Sequence, residues 1–138
     1  MRTSNQNDSN PDQDVVFEVR DLEVTFGTNR GESRVVRNVD FDIYRNETLG
    51  MVGESGSGKS MFASALLNAI VDPGQLTGSI KYHPESGESV DMVDAGKADL
   101  KRYRWKEISM VFQGAMSSLN PVQKVRTHFQ ETIRAHQY

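Results

Sequence analysis

Eight consecutive residues, Gly53-Glu54-Ser55-Gly56-Ser57-Gly58-Lys59-Ser60, constrain this chain more than anything else in it. They fill the pattern G-x-x-x-x-G-K-[ST]. A chain of phosphates carries several negative charges and many acceptor oxygens. Backbone N–H groups satisfy these when they point inward from a tight loop, and a Cβ would obstruct that approach, so glycines recur. The pattern also demands a helix behind the loop, whose first N–H groups and dipole favour an anion. On this reading Lys59 reaches the β- and γ-phosphates of ATP and the Ser60 hydroxyl coordinates Mg²⁺. The bland alternative is a Gly/Ser surface linker. It fits poorly between the apolar run Leu49, Met51, Val52 and the helically spaced Phe62, Ala65, Leu66, Ala69 and Ile70.

The rest of the chain predicts the elements around that loop. Phe17, Val19, Leu22, Val24 and Phe26 alternate with polar residues, and the alternation slips near Arg20-Asp21, which predicts a strand with a bulge. Thr28 to Glu32 is a turn cluster, and Val39, Phe41 and Ile43 alternate as a second strand antiparallel to the first. Arg45-Asn46-Glu47 is a turn, with Asn46 suited to a left-handed conformation. Leu49 to Val52 reads as a strand buried on both faces, running into the loop. The helix behind it is expected over Met61 to Val71, stopped by Asp72-Pro73-Gly74. Gly78 to Tyr82 is a further strand, His83 to Asp94 an acidic surface loop, and Lys97 to Lys106 a short basic helix. Ile108 to Phe112 is a second buried-strand candidate, followed by a loop over Gly114 to Pro121 and an amphipathic helix over Val125 to His136.

Composition narrows the partners. The net charge is −3, from 16 basic and 19 acidic residues, so nucleic acid is not expected as a partner. Lys101-Arg102-Tyr103-Arg104-Trp105-Lys106 reads as an exposed helix face rather than a nucleic-acid patch. No apolar stretch approaches the ~18–20 residues of a membrane span. With no cysteine there is neither a disulfide framework nor a thiolate metal site. Met1 to Asp14 lacks the pattern of a signal peptide and reads as a disordered polar tail, residues 1–14.

Two segments together carry a family resemblance. Glu47-Thr48-Leu49-Gly50-Met51-Val52 and the loop that follows resemble the Walker A region of ABC-transporter ATPases. Ile108-Ser109-Met110-Val111-Phe112-Gln113, with Ser118-Leu119-Asn120-Pro121, resembles their Q-loop. The likeness is greatest to ATP-binding subunits of dipeptide and oligopeptide importers and covers nearly everything from Val16 to Tyr138. It implies an α/β fold, a P-loop NTPase (RecA-like) core with an antiparallel β front, truncated at the start of the helical subdomain. Residues 15–138 would be a partial ATP-binding domain, with Walker A at 53–60 and the Q-loop at 113–121. The resemblance further implies that Phe26 stacks on adenine, although ordinary core packing is its alternative. Gln113 would touch Mg²⁺ and the attacking water and link the nucleotide to a membrane subunit. The implied partners are membrane-spanning permease subunits, a second ATPase subunit and, indirectly, a solute-binding protein, at the cytoplasmic face of the plasma membrane.

Some positions depart from the family. Asn46 stands where a glycine is usual, and Gly114-Ala115 replaces an acid-proline pair. A Leu-Ser-Gly-Gly signature, a Walker B strand ending in Asp-Glu and a switch histidine are absent; His83, His128 and His136 fall in other places. The chain therefore reads as an N-terminal fragment that binds nucleotide without the groups to hydrolyse it. Two other readings stay open: a different P-loop class such as a small-molecule kinase, and an inactive truncated remnant.

Overall fold

The computed structural model describes residues 14–29, 31–114 and 119–136. Residues 1–13 of the expected tail, Arg30 in the first turn, and Ala115 to Ser118 of the expected loop lie outside the described residues. The chain divides into two compact units, one reaching to Ala95 and the other starting at Gly96.

The first unit is built on a sheet of four antiparallel strands in the order β2-β1-β3-β4. These are β1 (Val15–Thr28), β2 (Gly31–Tyr44), β3 (Gly74–Tyr82) and β4 (Val90–Asp91). The alternation read from the sequence sets the register: Phe17 lies opposite Ile43, Val19 opposite Phe41, and Val24 opposite Val36. The expected bulge is present. The register of β1 shifts between Arg20 and Glu23, and Asp21 takes a φ of 49°. Its extra residue brings Gly78 of β3 so close that a Cβ there would lie 2.5 Å from the Asp21 carbonyl oxygen, and Gly78 has a φ of +97°. Only glycine meets both conditions without strain.

Val19, Leu22, Val24 and Ile80 are fully buried in the middle of this sheet, joined by Met92 just past β4. Central β1 is covered on both edges, whereas β2 is an edge strand whose first four residues, Gly31 to Arg34, are exposed. That exposure explains why the pattern revealed only Val39 to Tyr44: an edge segment with charged side chains carries little alternation. Asn46 turns the chain at φ 62°, as its residue type suggests. There the Tyr44 N–H donates to the Glu47 carboxylate at 2.8 Å.

The helix behind the loop, α1 (Lys59–Leu66), packs on β1 and β2, with Phe62 edge-on to Phe41 at 5.7 Å between ring centres. It ends earlier than expected. Asn68 adopts φ 47°, its N–H bonds the Ala65 carbonyl, and the Ala69 N–H bonds the Ser64 carbonyl. These two bonds form a Schellman motif with asparagine in the left-handed position. The helix therefore stops there and not at Asp72-Pro73-Gly74.

Further sequence expectations are corrected. His83 to Asp94 is not a surface loop throughout: it contains β4 and the fully buried Met92. Leu49 to Val52 is not a buried strand: no ladder is assigned to it, and Leu49, Met51 and Val52 are 47%, 45% and 98% exposed. Ile108 to Phe112 forms only a single bridge, Ile108 with Arg104, and Val111 and Phe112 are 87% and 58% exposed. Both segments have the composition of central strands. Among the described residues neither has a partner strand on which to lay a ladder.

The second unit holds α2 (Lys97–Tyr103) and α3 (Val125–His136). The apolar residues Val125, Phe129 and Ile133 of α3 are spaced four apart and exposed. No helix among the described residues is long and apolar enough to cross a membrane.

Candidate functional site

The loop Gly53 to Ser60 leaves the extended segment after Glu47 and enters α1 at Lys59. Its geometry explains its composition. Gly58 is the residue before the helix and has φ 90°; a Cβ on it would lie 2.9 Å from the Val35 carbonyl of β2. Gly53 faces Ser57, whose Oγ would sit 2.8 Å from an added Cβ. Gly56 turns at φ 79° with open space around it. A side chain at Gly58 would thus be strained twice, by its backbone conformation and by the strand beneath it.

Lys59 draws the loop round itself. Its ammonium donates to the carbonyls of Gly53 at 2.7 Å and Glu54 at 2.6 Å, and to Ser57 Oγ at 3.2 Å. The Ser57 N–H bonds the Glu54 carbonyl at 3.2 Å, and the Phe62 N–H bonds the Gly58 carbonyl at 2.8 Å. No side chain caps the N-terminus of α1, so the N–H groups of its first turn point at the loop without a carboxylate or hydroxyl across them. Ser60 is exposed on that first turn. The result is a cationic group and a helix N-terminus at one concave backbone turn, with glycine wherever a side chain would close it. That arrangement suits a phosphate chain.

Beside the loop opens a hollow of about 450 Å³, with Val36, Val39, Phe41, Met51 and Phe62 on its apolar side and Gly58 and Lys59 on the other. Phe26 is not part of this lining. It sits half-buried at the end of β1, opposite Gly74 in the ladder, and its outer ring atoms occupy the space where a Gly74 Cβ would stand, beside Ile70. Gln113 belongs to the second unit and is exposed at the end of the Ile108 segment. The structure thus brings Gly53 through Ser60 together as one constellation. Phe26 lies outside the hollow beside them, and Gln113 is carried by the other unit.

Two contributors were missed in the sequence. The Val35 carbonyl lies under Gly58, and no residue-type signal marks a backbone group. Asn68 fixes the far end of α1, and its signal was available, since asparagine is the usual alternative to glycine in a left-handed helix end.

A glycine-lined loop closing on a lysine at a helix N-terminus, beside an antiparallel sheet, defines the class: this is the front of a P-loop NTPase fold. The family described as ABC transporter matches residues 36–138, and the chain belongs to it. Membership makes nucleotide binding the property of the fold. The chain is 38% identical over 122 residues to the oligopeptide transport ATP-binding protein OppD of Salmonella typhimurium, covering 88% of this chain and 35% of that protein. It is similarly 38% identical over 122 residues to OppD of Bacillus subtilis, covering 88% and 33%. Against the glutathione import ATP-binding protein GsiA of Pectobacterium atrosepticum it is 38% identical over 124 residues, covering 88% and 20%. The chain spans about a third, or less, of the length of these curated relatives.

Proposed function

We propose that this chain is the phosphate-binding part of an ABC importer ATPase, whose ATP binding and hydrolysis power uptake of peptides or a related small solute. The observation that carries this reading is the closure of Gly53–Ser60 around the Lys59 ammonium at the uncapped start of α1. The names of the similar proteins, which concern oligopeptide and glutathione import, support the solute class.

Each loop residue has a task in this reading. The backbone N–H groups of Glu54 through Ser60 take the phosphate oxygens, and Gly53, Gly56 and Gly58 keep side chains out of their way. Lys59 exchanges its carbonyl partners for phosphate oxygens; the exchange is favourable because the phosphate oxygens carry the negative charge that carbonyl oxygens lack. Ser60 offers its hydroxyl to Mg²⁺, an ion held by few protein groups together with phosphates and water. Bound Mg²⁺ would neutralise charge on the phosphates. Gln113 supplies a neutral amide to the metal and the attacking water, and Phe26 supplies a ring face for adenine. Permease subunits, a second ATPase subunit and, through them, a solute-binding protein complete the assembly at the cytoplasmic face of the membrane.

Calorimetric titration with Mg-ATP tests the reading. Replacing Lys59 by alanine should weaken binding by roughly ten- to a hundredfold, the scale of a hydrogen bond to a charged group. Equal affinity of the two proteins would remove the phosphate assignment.

A further inference from the structure

Behind the phosphate loop, α1 is held at its other end by a clasp of polar side chains. Asn68 Nδ2 donates to the Met92 carbonyl at 2.7 Å and, at 3.4 Å, to that of Val93. These two carbonyls are presented by a turn that Asp91 organises. One oxygen of its carboxylate accepts the Ser79 hydroxyl at 2.6 Å; the other accepts the N–H groups of Val93 at 2.9 Å and Ile80 at 3.3 Å. The Met92 N–H bonds the Ile80 carbonyl at 2.7 Å, and the Met92 side chain is fully buried. The segment Asp91–Val93 is therefore fixed to β3 by backbone, carboxylate and side chain at once. Asn68 ties the helix to that fixed point, while its own left-handed backbone turns the chain away toward β3.

Burial alone would raise the Asp91 carboxyl. The hydrogen bonds from Ser79, Val93, Ile80 and Asp94 outweigh it and hold the group below the ordinary aspartate range. The clasp is thus charged and intact at neutral pH.

The geometry points to Asn68 as a positioning residue for the phosphate loop: its amide, held by the Asp91–Val93 turn, sets where α1 lies and hence where the first-turn N–H groups and Lys59 stand. This deepens the proposed phosphate-binding role and rests on it for its functional consequence. The physical basis is the short length of α1. With Lys59–Leu66 spanning about two turns, there is little helix to absorb a displacement between its anchored end and its working end. At the working end the contacts include the Gly58–Val35 approach and the Phe62–Phe41 pair. At the anchored end the side-chain amide is a tie to the sheet's far edge.

Two variants separate the amide from the backbone turn. Asn68→Gly keeps the left-handed corner at little cost and removes the amide. Asn68→Asp keeps the size and sets a carboxylate against carbonyl oxygens. The measurement is amide hydrogen exchange on the full chain, paired with Mg-ATP titration well below each variant's melting temperature. We expect faster exchange in both variants at the Phe62 N–H, whose bond to the Gly58 carbonyl reports the working end of α1. We also expect Mg-ATP affinity to fall roughly three- to tenfold in Asn68→Gly, the scale of one hydrogen bond's net contribution, and further in Asn68→Asp. The proposal is overturned if faster exchange stays confined to residues 66–69 and 91–93 with the Phe62 N–H unchanged, whatever happens to melting temperature. The exchange readout needs no nucleotide. Failure of the phosphate reading would therefore show separately, as a wild-type chain that does not bind Mg-ATP.

Discussion

The two strands before the phosphate loop and the two apolar segments on which the expected motifs lie are alike in composition and opposite in fate. β1 has neighbours on both edges and buries Val19, Leu22 and Val24 completely. Leu49 to Val52 and Ile108 to Phe112 are as rich in apolar residues, yet Val52 and Val111 stand 98% and 87% exposed. The difference lies in pairing. A strand is stabilised by cross-strand side chains and a ladder, so its residues express a preference for a half-buried pleated surface, not an intrinsic shape. The hairpin of β1 and β2 provides its own surface from sequence-adjacent residues. The two apolar segments have none among the described residues.

The comparison can be broken by substitution. Leu22→Ala, in the fully buried centre of β1, should lower unfolding stability by about 2–5 kcal/mol, read from urea titration. A smaller and pH-dependent effect is expected at the edge of the same sheet. Asp91 has a lowered folded-state pKa. Its contribution is therefore fully present above the unfolded value of about 3.9 and is lost as the pH falls through the folded value. The urea midpoint should fall on acidification across that window, and Asp91→Asn should flatten the fall. The smallest effect belongs to the unpaired segment: Val52→Ala should change stability by less than about 0.5 kcal/mol. A cost at Val52 equal to that at Leu22 would mean that the segment is paired after all.

How much was legible follows the same division. The β1–β2 pairing, the bulge at Arg20-Asp21 and the left-handed Asn46 were all visible, because each depends on residues close in sequence, and the start of α1 fell two residues before the expected Met61. The bounds of α3 were equally plain from its period. The end of α1 was misplaced because Pro73 is the stronger stop signal by residue type, whereas the helix ends at the left-handed Asn68 through bonds to the Ala65 and Ser64 carbonyls. The start of β2 was hidden by exposed Glu32, Ser33 and Arg34. The phosphate loop could be read residue by residue, since its glycines answer to local backbone angles and close approaches. Phe26 and Gln113 are different: their surroundings depend on distant parts of the chain, and no spacing rule specifies those.

Amide hydrogen exchange of the full chain with and without Mg-ATP tests the central claim most directly. If Gly53–Ser60 cradles the phosphates, saturating Mg-ATP should slow exchange at the amides of Gly56, Ser57, Gly58, Lys59 and Ser60, and leave the β3–β4 pairing as it was. Bound nucleotide with unchanged exchange across these five amides would contradict the claim.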